Sequence, residues 1–199
     1  MRKFFLIIIF IFLLSLSVVY CQYENPYYQE QPKESPTTYL GLSSGINNFN
    51  GLLGGFMEYH PMNKLTFLGG LGLGFWGYKA SAGLRMYKNY PVGFYYTGSF
   101  SYHSGFDDIE LEMETLNGNT ETVIMNWKPA YTLNLTLGYQ FGLSNNKYRL
   151  FIEGGYAIAL QTKPYEVTNG VQLSEGSKAA MDIFTPGGLI ISIGGSLGF

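Results

Sequence analysis

From residue 39 onward the hydrophobic and polar positions of this chain alternate. In GGLIISIGGSLGF, residues 187–199, Leu189, Ile191, Ile193, Leu197 and Phe199 share one parity, and the other is glycine and serine apart from Ile190. A period of two sends successive side chains to opposite faces, so this stretch predicts a strand with one apolar and one small, weakly polar face. Similar segments lie at about 39–47, 51–60, 65–76, 78–87, 92–103, 125–142 and 148–161. In the fourth, Tyr78, Ala80, Ala82, Leu84 and Met86 oppose Lys79, Ser81, Gly83, Arg85 and Tyr87. In the sixth, Tyr131, Leu133, Leu135, Leu137, Tyr139 and Phe141 oppose Thr132, Asn134, Thr136, Gly138 and Gln140.

The connections alternate as well. HPMNK (60–64), KNYP (88–91) and SNNK (144–147) are short and each carries a lysine. The fifth and seventh connections are long, and the first (NNFNG) and third are short. An even number of strands puts both ends of the sheet on one side. The lysine-bearing turns then share that side and both long loops share the other, the usual asymmetry of transmembrane barrels.

Composition bears on which face is outside. Charged residues are only 13% of the 199, with 26 Gly, 17 Tyr and 15 Phe. A soluble lipocalin-like barrel would also alternate, with its apolar residues inside. Its exterior would then need Lys, Glu, Asp and Arg throughout, whereas the minority face here is mostly Gly, Ser, Thr and Ala. That face is suited to filling a narrow lumen, and the apolar face to lipid. Aromatics near strand ends, among them Trp76, Tyr102, Trp127, Tyr139 and Tyr148, read as interfacial belts. The predicted fold is an all-β, eight-stranded antiparallel up-and-down transmembrane β-barrel over 39–199.

The N-terminus fits export. Arg2 and Lys3 precede an apolar run from Phe4 to Leu14, with small residues Ser15 and Ser17 before Cys21. Residues 1–21 are read as a cleaved signal peptide and 22–38, with three prolines, as a periplasmic linker. The alternative, an uncleaved membrane helix, has a run short of the ~20 residues a span needs. Cys21 is the only cysteine, which excludes an internal disulfide; its place suggests lipidation, although Tyr20 breaks the small-residue pattern before it. Losing Arg2 and Lys3 takes the net charge from −2 to −4, so nucleic acid is not an expected partner.

The signal, the eight alternating segments, the long loops on one side and the terminal Phe199 resemble the small outer-membrane barrels of the outer-membrane protein A and X type. The resemblance is one of pattern over 39–199. It implies a monomer in the outer membrane of a Gram-negative envelope, with lipid around it. It also implies that Leu189, Ile191, Ile193, Leu197 and Phe199 form the signal read by the barrel-assembly machinery.

Parity turns Glu58, Lys79, Arg85, Arg149 and Glu153 inward. Buried charges must pair, so these predict a salt-bridged plug; a narrow pore or small-solute channel is the alternative. A lipid A-modifying enzyme is a third reading, resting on His103 and Ser104. Adjacent strand residues face opposite ways, so those two cannot act together in a regular strand. GGLGLG (69–74) lies within a strand, not between a strand and a helix, and is not read as a phosphate site. No cofactor and no metal are expected.

The loop 104–124 carries Asp107, Asp108, Glu110, Glu112, Glu114 and Glu121 and no Lys or Arg. The glutamates alternate with Ile109, Leu111 and Met113, and Asn117-Gly118 signals a turn, so strands five and six are expected to project as an acidic hairpin. A two-residue turn would set Glu114 opposite Glu121. A three-residue turn would pair Met113 with Val123 and Leu111 with Met125, with a bulge below. Asn169-Gly170 suggests a second hairpin. The expected function is non-enzymatic, serving envelope integrity or adhesion to an extracellular partner through these loops.

Overall fold

The structure, a computed structural model, describes residues 36–62 and 64–199. The expected signal peptide, Cys21 and most of the 22–38 linker lie outside the described residues. Twelve elements follow in order: β1 (Thr38–Ile46), β2 (Leu53–Met62), β3 (Leu65–Gly74), β4 (Gly77–Tyr87), β5 (Gly93–His103), β6 (Phe106–Glu114), β7 (Thr120–Trp127), β8 (Ala130–Leu143), β9 (Tyr148–Ala159), β10 (Tyr165–Val167), α1 (Glu175–Phe184) and β11 (Gly188–Gly198).

Eight of the strands close a barrel in the order β1-β11-β9-β8-β5-β4-β3-β2, every neighbour antiparallel. The seam joins the first and last strands, from Tyr39 opposite Gly198 to Ile46 opposite Ile191. Closure leaves the barrel no free edge. The pleat sorts the side chains as the alternation requires: Leu42, Leu71, Leu135 and Ile193 are 60–69% exposed on the outside, while Ser43, Thr66, Ser101 and Asn134 are buried within. No helix among the described residues is long and apolar enough to cross a membrane.

The turns follow from backbone chemistry. Gly74 pairs with Gly77 across Phe75-Trp76, and Gly77 sits at φ +89°, where a side chain would be strained. Ser144, Asn145 and Asn146 all take positive φ in the β8–β9 turn, a conformation that Asn in particular tolerates. Pro61 cannot donate to a ladder, and the β2–β3 register shifts between Tyr59 and Met62.

At the end opposite Thr38 and Phe199, a second sheet of order β10-β7-β6 stands above the barrel. Three expectations need correction here. The sixth barrel strand begins at Ala130 rather than 125, because Lys128-Pro129 separates it from β7. Strands five and six therefore do not continue into the hairpin, since Gly105 at φ +75° turns the chain out of the barrel. Asn169-Gly170 also makes no second hairpin. Instead β10 adds to β7, Thr115 bridges Leu173, and α1 follows.

The β6–β7 hairpin takes neither expected register. Its loop is Leu116-Asn117-Gly118, with Thr115 facing Asn119 and Gly118 at φ +77°, and it pairs Met113 with Glu121 and Leu111 with Val123. The bulge lies between Phe106 and Ile109, with Asp108 at φ 53°. This register puts Ile109, Leu111 and Met113 beside Val123 and Met125. Together with Trp76, Ala130, Leu173 and Met181 these form a separate hydrophobic core at the barrel rim. Helix α1 is capped by Ser174, whose Oγ accepts from the Ser177 N–H at 3.2 Å. It contributes Met181 to that core.

Candidate functional site

The side chains expected to form the lumen network divide into two groups. Toward the end carrying Thr38 and Phe199, Arg85 on β4 reaches two carboxylates. Its Nη1 donates to Glu58 of β2, its Nη2 lies 3.3 Å from Glu153 of β9, and its Nε donates to Thr97 at 3.2 Å. The guanidinium stands 4.1 Å from the Tyr95 ring centroid, and the Tyr95 hydroxyl donates to Glu153 at 3.0 Å. Arg149 of β9 lies 3.7 Å from the other oxygen of Glu58, 3.5 Å from the Tyr39 ring centroid and 3.0 Å from both His60 Nε2 and the Tyr90 hydroxyl. An arginine can only donate. His60 Nε2 must then accept, leaving Nδ1 to carry the proton given to Thr66 at 2.7 Å. The 3.4 Å contact of His60 with Glu58 is accordingly not an ion pair. Two arginines face two carboxylates, so the buried cluster is neutral.

Lys79 stands apart from this cluster. It is also inside and 2% exposed, but at the cap end of β4. Its Nζ donates to the carbonyl oxygens of Asn48 at 2.7 Å and Asn47 at 3.3 Å. Among the described residues no carboxylate lies within ion-pair distance of it.

The segment between β1 and β2, NNFNG (47–51), is short and polar in sequence. It folds into the barrel, with Asn48 and Asn50 buried. Their amides both donate to Ser43, Ser192 donates to Asn48, and Ser81 donates to the Phe49 carbonyl at 2.5 Å. Phe49 packs against a lumen cluster of Phe56, Tyr87, Tyr95 and Phe151. Gly138 and Gly194 let the Tyr95 and Phe151 rings lie against the wall, where a Cβ would collide with them. The void left between this segment and Arg85 is about 10 Å³, room for about one water.

The aromatics separate by depth. Tyr102, Tyr139 and Tyr148 lie on the outer surface, whereas Trp76 is 1% exposed and stacks on Trp127 at 4.3 Å with planes 7° apart. Trp76 Nε1 donates to the Lys128 carbonyl at 2.9 Å. Both tryptophans belong to the cap core rather than to an interfacial belt, because the β3–β4 turn inserts beneath the second sheet. Among the C-terminal residues, Leu189, Ile191, Ile193 and Phe199 are exposed and Leu197 is partly so. The Phe199 N–H donates to the Thr38 carbonyl at 2.9 Å across the seam.

Asp107, Asp108, Glu110, Glu112, Glu114 and Glu121 are all exposed. Glu110, Glu112 and Glu114 line the solvent face of β6, which is an edge of its sheet. The far end of that edge is covered, as the Glu114 carbonyl accepts from the Ser174 N–H at 3.1 Å and from the Ser177 hydroxyl at 2.8 Å. On the opposite edge Lys128 pairs with Glu166 at 2.6 Å, and this hydrogen bond, with the lysine charge, holds the Glu166 carboxyl below its ordinary value.

Ser104 does not approach His103 as a catalytic partner. Its hydroxyl donates to the Gly105 carbonyl at 3.1 Å and accepts from the Tyr78 N–H at 2.9 Å, while His103 turns inward to within 3.4 Å of Thr132 Oγ1. Among the described residues no group of three or more His, Cys, Asp or Glu could hold a metal ion.

The architecture defines a closed eight-stranded antiparallel barrel with a packed polar lumen and a folded cap. No family model matches the chain, and no curated protein matches it in sequence. Among solved structures it is similar to CarO of Acinetobacter baumannii, at TM-score 0.44 and 11% identity over 84% of this chain and 100% of that one. So distant a likeness carries no functional argument.

Proposed function

We propose that this chain is a non-enzymatic integral outer-membrane barrel that acts by surface interaction through its cap. The observation supporting it is the inversion of polarity. A predominantly apolar skin, with Leu42, Leu71, Leu135 and Ile193 each at least 60% exposed, surrounds an interior of buried Arg, Glu, Lys, Asn and Ser. Water disfavours contiguous apolar patches larger than a few hundred Å², and a closed barrel satisfies every backbone group within hydrocarbon. With the termini toward the periplasm, the cap faces outward. The terminal strand, ending in Phe199, is what the assembly machinery would engage. The partner surface is the acidic face and free edge of β6, suited to adding a basic extended segment of an extracellular protein. The filled lumen speaks for a plug rather than a pore.

Heat-modifiable migration of the folded protein on a gel, together with insertion into lipid vesicles, is the expected result. A monodisperse monomer without detergent would refute the membrane reading. Planar-bilayer recordings should be silent, and discrete conductance would favour the pore. Charge reversal by E110K/E112K should abolish partner capture by the folded barrel while leaving gel mobility intact.

A further inference from the structure

Where α1 meets the barrel rim there is a cavity of about 270 Å³. Its walls include Phe75 and Trp76 of the β3–β4 turn and Ile183 and Phe184 at the end of α1, and Lys79 and His103 line it from the lumen side. Lys79 is 2% and His103 5% exposed, and their backbones pair directly across β4 and β5. An ammonium has three protons to donate, and two of those on Lys79 go to the Asn47 and Asn48 carbonyls. His103 meets Thr132 at 3.4 Å through Nε2, and Nδ1 has no hydrogen-bond partner among the described residues. A buried lysine held only by carbonyl dipoles, beside an apolar chamber, has no counter-charge among the described residues, and a bound carboxylate would supply the one that a buried ammonium calls for.

The opening of the chamber is apolar as well. Ile183 is 80% and Phe184 48% exposed, and the Phe184 ring meets that of Phe75 at 6.1 Å. Ile46, on the outer face of β1 and 55% exposed, also borders the chamber. The mouth therefore opens at the side of the barrel, level with the cap ends of the outward-facing apolar residues. One end of the site carries Lys79 and His103, and the other is bordered by the exposed apolar residues Ile46, Ile183 and Phe184.

We propose that this chamber binds an amphipathic monocarboxylate of the fatty-acid type, its carboxylate on Lys79 and His103 and its chain leaving past Phe75, Ile183 and Phe184. A carboxylate accepts from both the third Lys79 proton and a His103 N–H, the charge-assisted geometry that gives the strongest hydrogen bonds. The volume is slightly under the ~300 Å³ at which small-molecule sites begin. It encloses a short chain and lets a longer one extend toward the lipid side. The assignment needs only the folded barrel and does not depend on a surface partner for the cap.

Trp76 lines the chamber, so binding can be read from tryptophan fluorescence of the full chain folded into lipid nanodiscs. Octanoate should give a saturable change, whereas acetate (charge without chain) and octanol (chain without charge) should each bind at least tenfold more weakly. Lys79→Met should weaken octanoate binding by roughly ten- to a hundredfold, as expected for a lost hydrogen bond to a charged group. Lys79 also ties down the 47–51 segment, so Phe184→Ser, on the exposed rim, supplies an independent arm. It should weaken octanoate several-fold with no change in gel mobility. Octanol binding as well as octanoate, both variants binding like wild type, or no saturable change in protein that migrates as folded would overturn the site. Lys79 would then be a structural tie only, with the barrel and its membrane reading untouched.

Discussion

Replacing Arg85 by Met tests whether the lumen cluster holds the barrel together. The substitution keeps much of the side-chain volume and removes the one group that touches both carboxylates. Glu58 would retain Arg149 at 3.7 Å, but Glu153 would keep only the Tyr95 hydroxyl at 3.0 Å. Both carboxylates are at most 5% exposed, so Glu153 would be left buried without a cation. Breaking a buried pair by deleting one partner costs ~3–5 kcal/mol, because the remaining charge is uncompensated. With a urea slope of ~1–3 kcal/mol/M, the unfolding midpoint should fall by ~1 M or more. Adding Glu153→Gln restores neutrality, with Glu58 facing Arg149, and should recover ~1–3 kcal/mol through the coupling expected of contacting residues.

The assay is urea unfolding of vesicle-inserted protein, followed by sheet circular dichroism. Both tryptophans of the chain lie in the cap core, so fluorescence would report the cap and not the lumen. A midpoint drop of less than ~0.5 M at unchanged slope, or a double variant no more stable than the single, would refute the reasoning. Packing of the Phe56, Tyr87, Tyr95 and Phe151 rings would then be what carries the interior.

Three further outcomes follow from the same geometry. Gly138→Ala should destabilise the barrel by ~1–3 kcal/mol, because the new Cβ falls 2.6 Å from Tyr95 Cε2; Gly69→Ala, with nothing within 4 Å, should be neutral in the same urea series. Trp76→Ala removes the stacking partner of Trp127 from the cap core and should open residues 104–129 to limited proteolysis while leaving the barrel fragment intact; a protease-resistant cap would count against a separate cap core. Deleting Phe199 should slow insertion into vesicles more than it lowers the urea midpoint of protein already folded, and equal losses would reduce the residue to packing at the seam.

The barrel was legible because alternation is a direct image of the pleat, and a minority face of Gly, Ser and Thr cannot serve as a water-facing exterior. The cap was harder to read. Its strands share the period of the barrel strands, so 125–142 reads as one segment although Lys128-Pro129 divides it. Ser174, Glu175 and the Lys178–Met181 run did offer a helix start, with Pro186-Gly187 as its stop, but a loop expected to hold a hairpin hid them. Parity says which side of the wall a residue faces, and its place along the strand gives its height. Glu58 and Arg85, each near the same end of its strand, are level and pair, whereas Lys79, six residues from Arg85 on β4, faces backbone carbonyls.

The 47–51 segment exposes a deeper limit. Asn-Asn-Phe-Asn-Gly is turn-like and polar, and hydropathy assigns polar turns to solvent. Inside this barrel the lumen is itself polar, and Ser43, Ser81 and Ser192 partner most of the segment's polar groups, leaving Asn50 Oδ1 without a partner among the described residues. Polarity therefore cannot distinguish a loop that leaves such a barrel from one that plugs it. The discriminating residue is Phe49. It is an aromatic in an otherwise hydrophilic turn, which would gain nothing in water and gains a ring cluster inside.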